Sequence, residues 1–563
     1  MSRTHYVALP DSDRVPRRGA RVIGPVNPRT PLTVTLYLRR DPNAPQPVDP
    51  YELALVPPTR RTVPDDTAYA EAHPGVDADL EAVEEFAGAH NLTVGTPNRL
   101  ARSIQLTGAT ADVANAFQVT LARYRYQGRD RSWQSYRGRE GAIYLPSELD
   151  GIVTAVVGLD DRPVGTNLLI RRAADGHVPL AAHVQPAVPA GAFLPPMLNA
   201  PYGYPDGTDG SGQCIAVLAF NGETSPGTPS GGFRLDALKR YFVDVLGQQM
   251  PDISTVVVPN VGSPGNDPGR DDRDADPLDA TGEIMLDLAV VGALAPKAKI
   301  VVYFSKFSEQ GWTDVISTVV TDTANRPDVI SNSYGFAEDA AGGFGLTRMA
   351  INRIDRTLAN AAGRNVSICC ASGDDGSRDQ IGDERAHADF PSCSPHVLGV
   401  GGTRLIAEDG VVTAESVWDD GPGSRTGGGV SMLFPVPPFQ AGIDLPSVNP
   451  PFGTGRIVPD VSALADPVTG VMIMSVDGKT LVRVGGTSAA APMWAALLAR
   501  INQGLGAPVG FLNPLLYRNF SQGVLRDITT GSNGAFASGP GFDACTGLGS
   551  PGGRQLLAGL KAL

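Results

Sequence analysis

From about residue 196 onward, short apolar runs alternate with stretches of helical spacing, and no other feature narrows the possible folds as much. The runs are Cys214 to Phe220, Thr255 to Val258, Lys299 to Phe304, Val329 to Ser331 and Val366 to Ala371. A strand that is apolar along its whole length has no face to offer water, so it must be covered on both sides. That is the pattern of a parallel sheet between helices. The covering helices are expected over Phe233 to Leu246, Glu283 to Ala295, Trp312 to Ala324 and Leu346 to Ala362. Ligands of such sheets bind beyond the carboxyl ends of the strands, which directs attention to the loops that follow them.

A chain of 563 residues is too long for one core. Its first third has a different pattern, with strands expected at Thr33 to Leu38, Leu92 to Thr96, Ser103 to Leu106 and Thr120 to Tyr126. Helices are expected at Asp77 to His90, where Leu80, Val83 and Phe86 fall at helical spacing, and at Thr110 to Phe117. The order β-α-β-β-α-β predicts a small ferredoxin-like α+β domain. Between Gly165 and Pro196 the composition shifts to Ala, Pro, Val and Gly around the pair Arg171 and Arg172, as in a protease-accessible linker. The expected division is therefore 1–164, a linker over 165–195, and 196–563.

With 46 basic and 59 acidic side chains the formal charge is −13, which argues against nucleic acid or an anionic membrane as partner. No stretch approaches the roughly 20 apolar residues of a membrane span, and Met1 to Ala20 lacks a signal-peptide core. Cys214, Cys369, Cys370, Cys393 and Cys545 are too few and too scattered for a disulfide framework. None has zinc-ligand spacing, so they read as buried thiols.

The clearest chemical signal is Gly485-Gly486-Thr487-Ser488, followed by Ala489-Ala490-Ala491-Pro492 and an apolar helix through Ile501. A serine at a helix start meets free N–H groups and the positive end of the helix dipole, which favour an alkoxide and hold an oxyanion. Thr487 or Ser488 could equally be an ordinary helix cap. A serine nucleophile usually needs a histidine base. The second domain offers only His387, in a polar stretch, and His396, before an apolar run; neither has the setting of a triad histidine.

Carboxylates are the alternative. Glu283 and Asp287 are four residues apart, on one side of a helix whose neighbours Ile284, Met285, Leu286 and Leu288 are apolar. Two charges there repel unless one carboxyl holds a proton, although both could also lie solvated on an open face. Asp374, in Ser372-Gly373-Asp374-Asp375-Gly376, follows a strand, where it is either a turn residue or a protonated acid able to donate to an oxyanion. Asp389 could lie near a cleft and favour a basic side chain, or be a structural loop acid. Near the end, Arg526-Asp527-Ile528-Thr529 and Ser538-Gly539-Pro540-Gly541-Phe542-Asp543 offer carboxylate and carbonyl oxygens that suit calcium, although such loops also occur without metal.

Together these motifs resemble the sedolisin, or serine-carboxyl peptidase, family, and among its members the kumamolisin-like ones. The likeness extends through Tyr136-Arg137-Gly138-Arg139-Glu140-Gly141, Gly212-Gln213-Cys214-Ile215-Ala216 and Cys545-Thr546-Gly547-Leu548-Gly549-Ser550-Pro551. The resemblance implies a subtilisin-like catalytic domain behind an inhibitory prodomain that is removed by self-cleavage in acid. It implies Ser488 as nucleophile, Glu283 as general base, Asp287 as the acid supporting it, and Asp374 as oxyanion donor. It further implies one Ca²⁺ held by Asp527 and Asp543 side chains and by the Ile528, Gly539 and Gly541 carbonyls. Glu223 would match an outer glutamate, and Tyr334 stands where several relatives carry tryptophan. The expected protein is a secreted monomer acting on protein or peptide substrates. Its rivals are a histidine-dependent subtilisin-like hydrolase and a catalytically silent binding protein on the same fold.

Overall fold

The computed structural model describes residues 5–128, 133–167, 170–171, 178–179, 188–222, 230–270, 280–339, 345–379, 381, 383–519 and 523–563. Its N-terminal domain is built from β1 (Pro31–Leu38), α1 (Asp77–Ala89), β2 (Thr93–Val94), β3 (Ser103–Ala109), α2 (Thr110–Ala116) and β4 (Val153–Val157). The strands lie antiparallel in the order β2-β3-β1-β4, the ferredoxin-like arrangement.

One strand of that expectation is corrected. The strand expected over Thr120 to Tyr126 forms as Ala122–Gln127, but it pairs with Arg21–Pro25 and Trp133–Gly138 in a separate three-stranded sheet. Its side chains alternate: Tyr124 and Tyr126 are buried, and Arg123 and Arg125 face out. Such a strand can cover only one side of a core. Val153–Val157, whose residues are nearly all buried, closes the ferredoxin-like sheet instead.

The second domain carries an eight-stranded sheet. Its strands are β5 (Cys214–Asn221), β6 (Asp252–Val257), β7 (Lys299–Lys306), β8 (Val329–Asn332), β9 (Ser367–Ala371), β10 (Leu398–Glu408), β11 (Val411–Val417) and β12 (Val461–Leu464). The order β6-β7-β5-β8-β9-β10 is parallel throughout. β12 adds in parallel beside β10, and β11 returns antiparallel as a hairpin. Along β5, Ile215, Val217 and Ala219 enter one core while Ala216, Leu218 and Phe220 enter the other. The two-sided burial expected from the apolar runs is thus realised residue by residue.

Helices α3 (Ala280–Leu294) and α6 (Thr487–Leu505) cover the first face, and α4 (Glu309–Thr321) and α5 (Arg348–Gly363) cover the second. Ser308 and Thr347 cap α4 and α5 by accepting the Gly311 and Ala350 N–H groups. The helix expected over Phe233 to Leu246 is α-helical at Leu235–Lys239 and widens to a π-helix over Arg240–Val245. There Tyr241 is buried and its hydroxyl donates to the Met472 carbonyl at 2.7 Å.

The N-terminal domain sits on α4 and α5, its apolar residues continuous with the second core. Tyr37 and Thr35 of β1 donate to the two oxygens of Asp314 at 2.6 and 2.8 Å. Arg14 pairs with Glu309 at 2.8 Å, the Trp312 indole donates to the Val164 carbonyl at 2.8 Å, and the Arg353 guanidinium lies 4.2 Å from the centre of the Tyr37 ring. Burial pushes the Asp314 carboxyl up to about 6. The docked form therefore favours the neutral acid, and stability from this contact is full below the ordinary carboxylate range and falls as pH rises through about 6. Asp314→Asn removes the titration but keeps an acceptor. Melting of the full chain is expected to match wild type at about pH 4, where the acid is neutral, and to exceed it at about pH 7. An equal offset at both pH values would count against this account.

Candidate active site

Every residue of α3 is buried, including Glu283 and Asp287. Ile284, Leu288 and Val291 on the same helix each contribute roughly 1.5–3 kcal/mol by leaving water, which offsets the cost of placing two carboxyls in the core. The open-face alternative for this pair is excluded. Burial pushes the Asp287 carboxyl well above its usual range, with the Ser333 hydroxyl acting in the opposite sense.

Ser333 follows β8 at its carboxyl end and joins Asp287 to the serine. Its hydroxyl donates to Asp287 Oδ1 at 2.6 Å and lies 3.3 Å from the Ser488 carbonyl oxygen, while Ser488 Oγ donates to the Ser333 carbonyl at 3.2 Å. Proline explains why the Ser488 carbonyl is free for such contact. Pro492 stands four residues on inside α6 and has no N–H to donate back. The sequence reading passed over Ser333; its place just beyond a strand end was the available signal.

Ser488 is the second residue of α6 and is fully buried. Neither it nor Thr487 caps the helix, because the cap position is Gly486, with φ of 106° and no side chain to bond the free N–H groups. One of those groups, the Thr487 N–H, is taken by Asp374 Oδ1 at 2.8 Å, and the positive end of the helix favours negative charge at Ser488.

Asp374 arrives from the loop after β9, by way of Gly373 at φ of 105°. Its Oδ1 accepts from the Thr487 N–H at 2.8 Å and from the Thr487 hydroxyl at 2.7 Å. Its Oδ2 is buried without a partner. Burial raises the Asp374 carboxyl well above the ordinary range, and the charges of Asp375 and Asp379 push the same way. Asp389 lies in the short strand Asp389–Phe390 and not in a loop. It is buried under Gly335, where a Cβ would come within 2.2 Å of its Oδ1, and burial, then Asp379 and Asp374, hold its carboxyl well above normal.

The two histidines are engaged elsewhere. His387 contacts Asp339 through Nδ1 at 2.5 Å and Asp383 through Nε2 at 2.8 Å. Burial alone would lower its pKa, but the two carboxylates outweigh it and raise the imidazole to about 8. His396 Nδ1 lies 3.1 Å from Asp355. All five cysteines are buried and unpaired. Tyr334 is buried edge-on to Phe220 and Phe307. Glu223 lies outside the described residues, as do 168–169, 172–177 and 180–187 of the linker.

The described parts of the linker run beside the serine. Thr166 and Asn167 pair antiparallel with Gly335 and Tyr334, and Ile170 and Arg171 pair antiparallel with Gly485 and Val484. One pairing follows Ser333, and the other ends three residues before Ser488.

The Asp527 and Asp543 loops also come together. Asp527 Oδ2 accepts the Gly541 N–H at 2.8 Å, and Asp543 Oδ1 accepts the Cys545 and Thr546 N–H groups, each at 2.8 Å. Burial pushes Asp543 up to about 6, against the Thr546 and Cys545 groups that donate to it. Two carboxylates with loop carbonyls form an all-oxygen donor set, which fits calcium and excludes softer metals. Among the described residues no cluster of three or more His, Cys, Asp or Glu could hold a metal ion.

The family described as "Pro-kumamolisin, activation domain" matches residues 18–162, and the "Subtilase family" matches residues 266–515. Kumamolisin from Bacillus sp. (strain MN-32) is 39% identical over 546 residues, covering 95% of this chain and 93% of that protein. Tripeptidyl-peptidase sed5 of Aspergillus fumigatus is 27% identical and covers 97% of this chain and 96% of its own. Among solved structures, Pseudomonas sedolisin, a serine-carboxyl proteinase complexed with two molecules of pseudo-iodotyrostatin, superposes with a TM-score of 0.54. It has 24% identity and covers 66% of this chain and 99% of its own, a likeness of fold. The chain belongs to the sedolisin family of serine-carboxyl peptidases, as a kumamolisin-like member carrying its activation domain.

Proposed function

We propose that this chain is the self-processing precursor of an acid-acting endopeptidase in which Ser488 is the nucleophile, Glu283 its base, Asp287 the supporting acid and Asp374 the oxyanion donor. The burial of all four in one region, with both histidines committed to other carboxylates, supports this assignment. Ser488 Oγ would turn from the Ser333 carbonyl and give its proton to Glu283 as it attacks the substrate carbonyl carbon. The new oxyanion accepts from neutral Asp374 and from the Ser488 N–H at the positive end of α6. Glu283 then protonates the departing amine, and a water attacks the acyl-enzyme with Glu283 again as base.

Acid dependence follows from the directions of the shifts. Asp374 and Asp287 are both raised, so they hold protons in acid and lose them as pH rises. Glu283 must meanwhile be ionised enough to act as base. The apparent values belong to the coupled group, and the rate profile is a bell in the acid range. Glu283→Ala is expected to abolish turnover, whereas His387→Ala keeps it. An optimum at neutral pH, or loss of activity on removing the histidine alone, would refute the mechanism.

Endopeptidase action is supported by the linker, whose described parts pair with Tyr334 and Gly335 beyond Ser333 and with Val484 and Gly485 before Ser488 while the N-terminal domain remains attached. A cleft that takes an internal segment on both sides is not limited to chain ends. Separation of the domains in acid then rests on pairs such as Arg14 with Glu309 and Asp66 with Arg326 and Arg364, against Asp314, which tightens as pH falls. At about pH 4, where carboxylates begin to protonate, the wild-type precursor is expected to shorten within the linker and Ser488→Ala to stay intact. Equal, uncut bands would favour the silent reading. The acid range also supports work outside the cytoplasm, as a monomer on protein or peptide substrates, with the shortened form recovered from the medium.

Calcium binding is the last part of the proposal. Asp527 and Asp543 would give side-chain oxygens, and Ile528, Gly539 and Gly541 carbonyls, to one Ca²⁺ that braces these loops; it takes no part in the reaction. The meeting of the two loops, where Asp527 accepts the N–H of Gly541, two residues before Asp543, is the observation that favours it. A ligand that binds only the native state must stabilise it, so a chelator is expected to lower the melting temperature and Asp543→Asn to abolish that response. Melting indifferent to the chelator would argue against the ion.

A further inference from the structure

Asp374 has two chemically equivalent oxygens, yet its surroundings treat them differently. Oδ1 accepts from both the main-chain N–H and the hydroxyl of Thr487, whereas Oδ2 is buried with no partner. We propose that Thr487 is a positioning residue that keeps the proton of Asp374 on Oδ2, the oxygen free to donate to the oxyanion formed at Ser488.

This inference rests on the oxyanion role given to Asp374 above. A main-chain N–H can only donate, so the oxygen it meets must accept, and a proton on that oxygen would oppose it. The hydroxyl is turned to the same purpose. Its oxygen lies 3.3 Å from the Gly373 nitrogen, whose N–H donates to it, and of the two acceptors within reach of its own proton, the Gly373 carbonyl at 3.3 Å and Asp374 Oδ1 at 2.7 Å, the carboxyl oxygen is the nearer. With Oδ1 doubly engaged, the carboxyl cannot rotate by half a turn without breaking two bonds. The nucleophile is the next residue in the chain, so one turn of α6 sets both the attacking oxygen and the orientation of the acid that receives the charge.

Thr487 also bears on the titration of that acid. Both of its bonds favour the ionised carboxyl, while burial and the charges of Asp375 and Asp379 disfavour it. Asp389 faces the same group from the strand at Asp389–Phe390. Arg425 reaches Asp374 only through its main chain, its guanidinium being bound to Asp419. Losing the Thr487 hydroxyl should therefore make catalysis slower and Asp374 harder to ionise, a pair of changes that general loosening of the site would not produce.

The test compares Thr487→Ser with Thr487→Ala in the full chain after acid processing. Both lose the methyl group, and only one loses the hydroxyl. Thr487→Ala is expected to lower kcat by about threefold to tenfold, the weight of one hydrogen bond to a neutral carboxyl. KM should stay within about twofold, and the alkaline limb of the pH profile should move upward; Thr487→Ser should restore both. If a variant does not mature, the pH dependence of precursor shortening on a gel gives the same comparison in a single turnover. Asp374→Ala separates the two levels of the argument. If it leaves kcat intact, the oxyanion role itself is wrong. If Asp374→Ala abolishes turnover while Thr487→Ala matches Thr487→Ser in kcat and in the alkaline limb, the positioning role alone is overturned.

Discussion

The burial of carboxyl groups around Ser488 governs the rest of the molecule. Removing an acid from water disfavours its charge, and in this chain burial is the largest influence on Asp287, Asp374 and Asp389. To bury Glu283 and Asp287 at all, α3 must be surrounded completely, which is why its other residues are so uniformly apolar and why it sits between the sheet and α6. The chemistry and the architecture thus have one cause. A site that keeps acids neutral needs a dry enclosure, and the two-sided sheet provides it.

The polar contacts within that enclosure are few and specific. Ser333 touches both Asp287 and Ser488, Pro492 leaves the Ser488 carbonyl available, and Thr487 takes one oxygen of Asp374. Each bond orients a group whose protonation matters. In a low-dielectric interior an unmatched polar atom is costly, so the unpartnered Oδ2 of Asp374 marks a place where stability yields to function. The N-terminal domain follows the same physics at its own interface, where Asp314 is buried under Tyr37 and Thr35 and responds to acid in the opposite sense from an ion pair.

Much of the fold was legible because burial on both faces leaves a mark in composition. Cys214 to Phe220 or Val329 to Ser331 can be little else than inner strands, and the helices between them appeared within a few residues of their observed ends. The one misassigned strand, Ala122–Gln127, failed for a reason of the same kind. Its alternation of Tyr and Arg fits any half-covered sheet, and nothing local distinguishes the ferredoxin-like sheet from the smaller one beside it. The pairing partner is a long-range choice, settled by Val153–Val157, which is buried almost throughout.

For the proposed site, the sequence by itself singled out the candidate groups: a serine after Gly-Gly-Thr at a helix start, two acids four apart in an apolar helix, and an aspartate just past a strand. Spacing along a helix and position at a strand end are local properties, so the chain alone can carry them. Only the tertiary structure decided how those groups meet. It brought Ser333 between Asp287 and Ser488, gave Asp374 Oδ1 to Thr487, engaged both histidines with carboxylates, and laid the linker along Tyr334 and Gly485. These are contacts between residues far apart in sequence, and their geometry exists only once the sheet has closed its two cores around them.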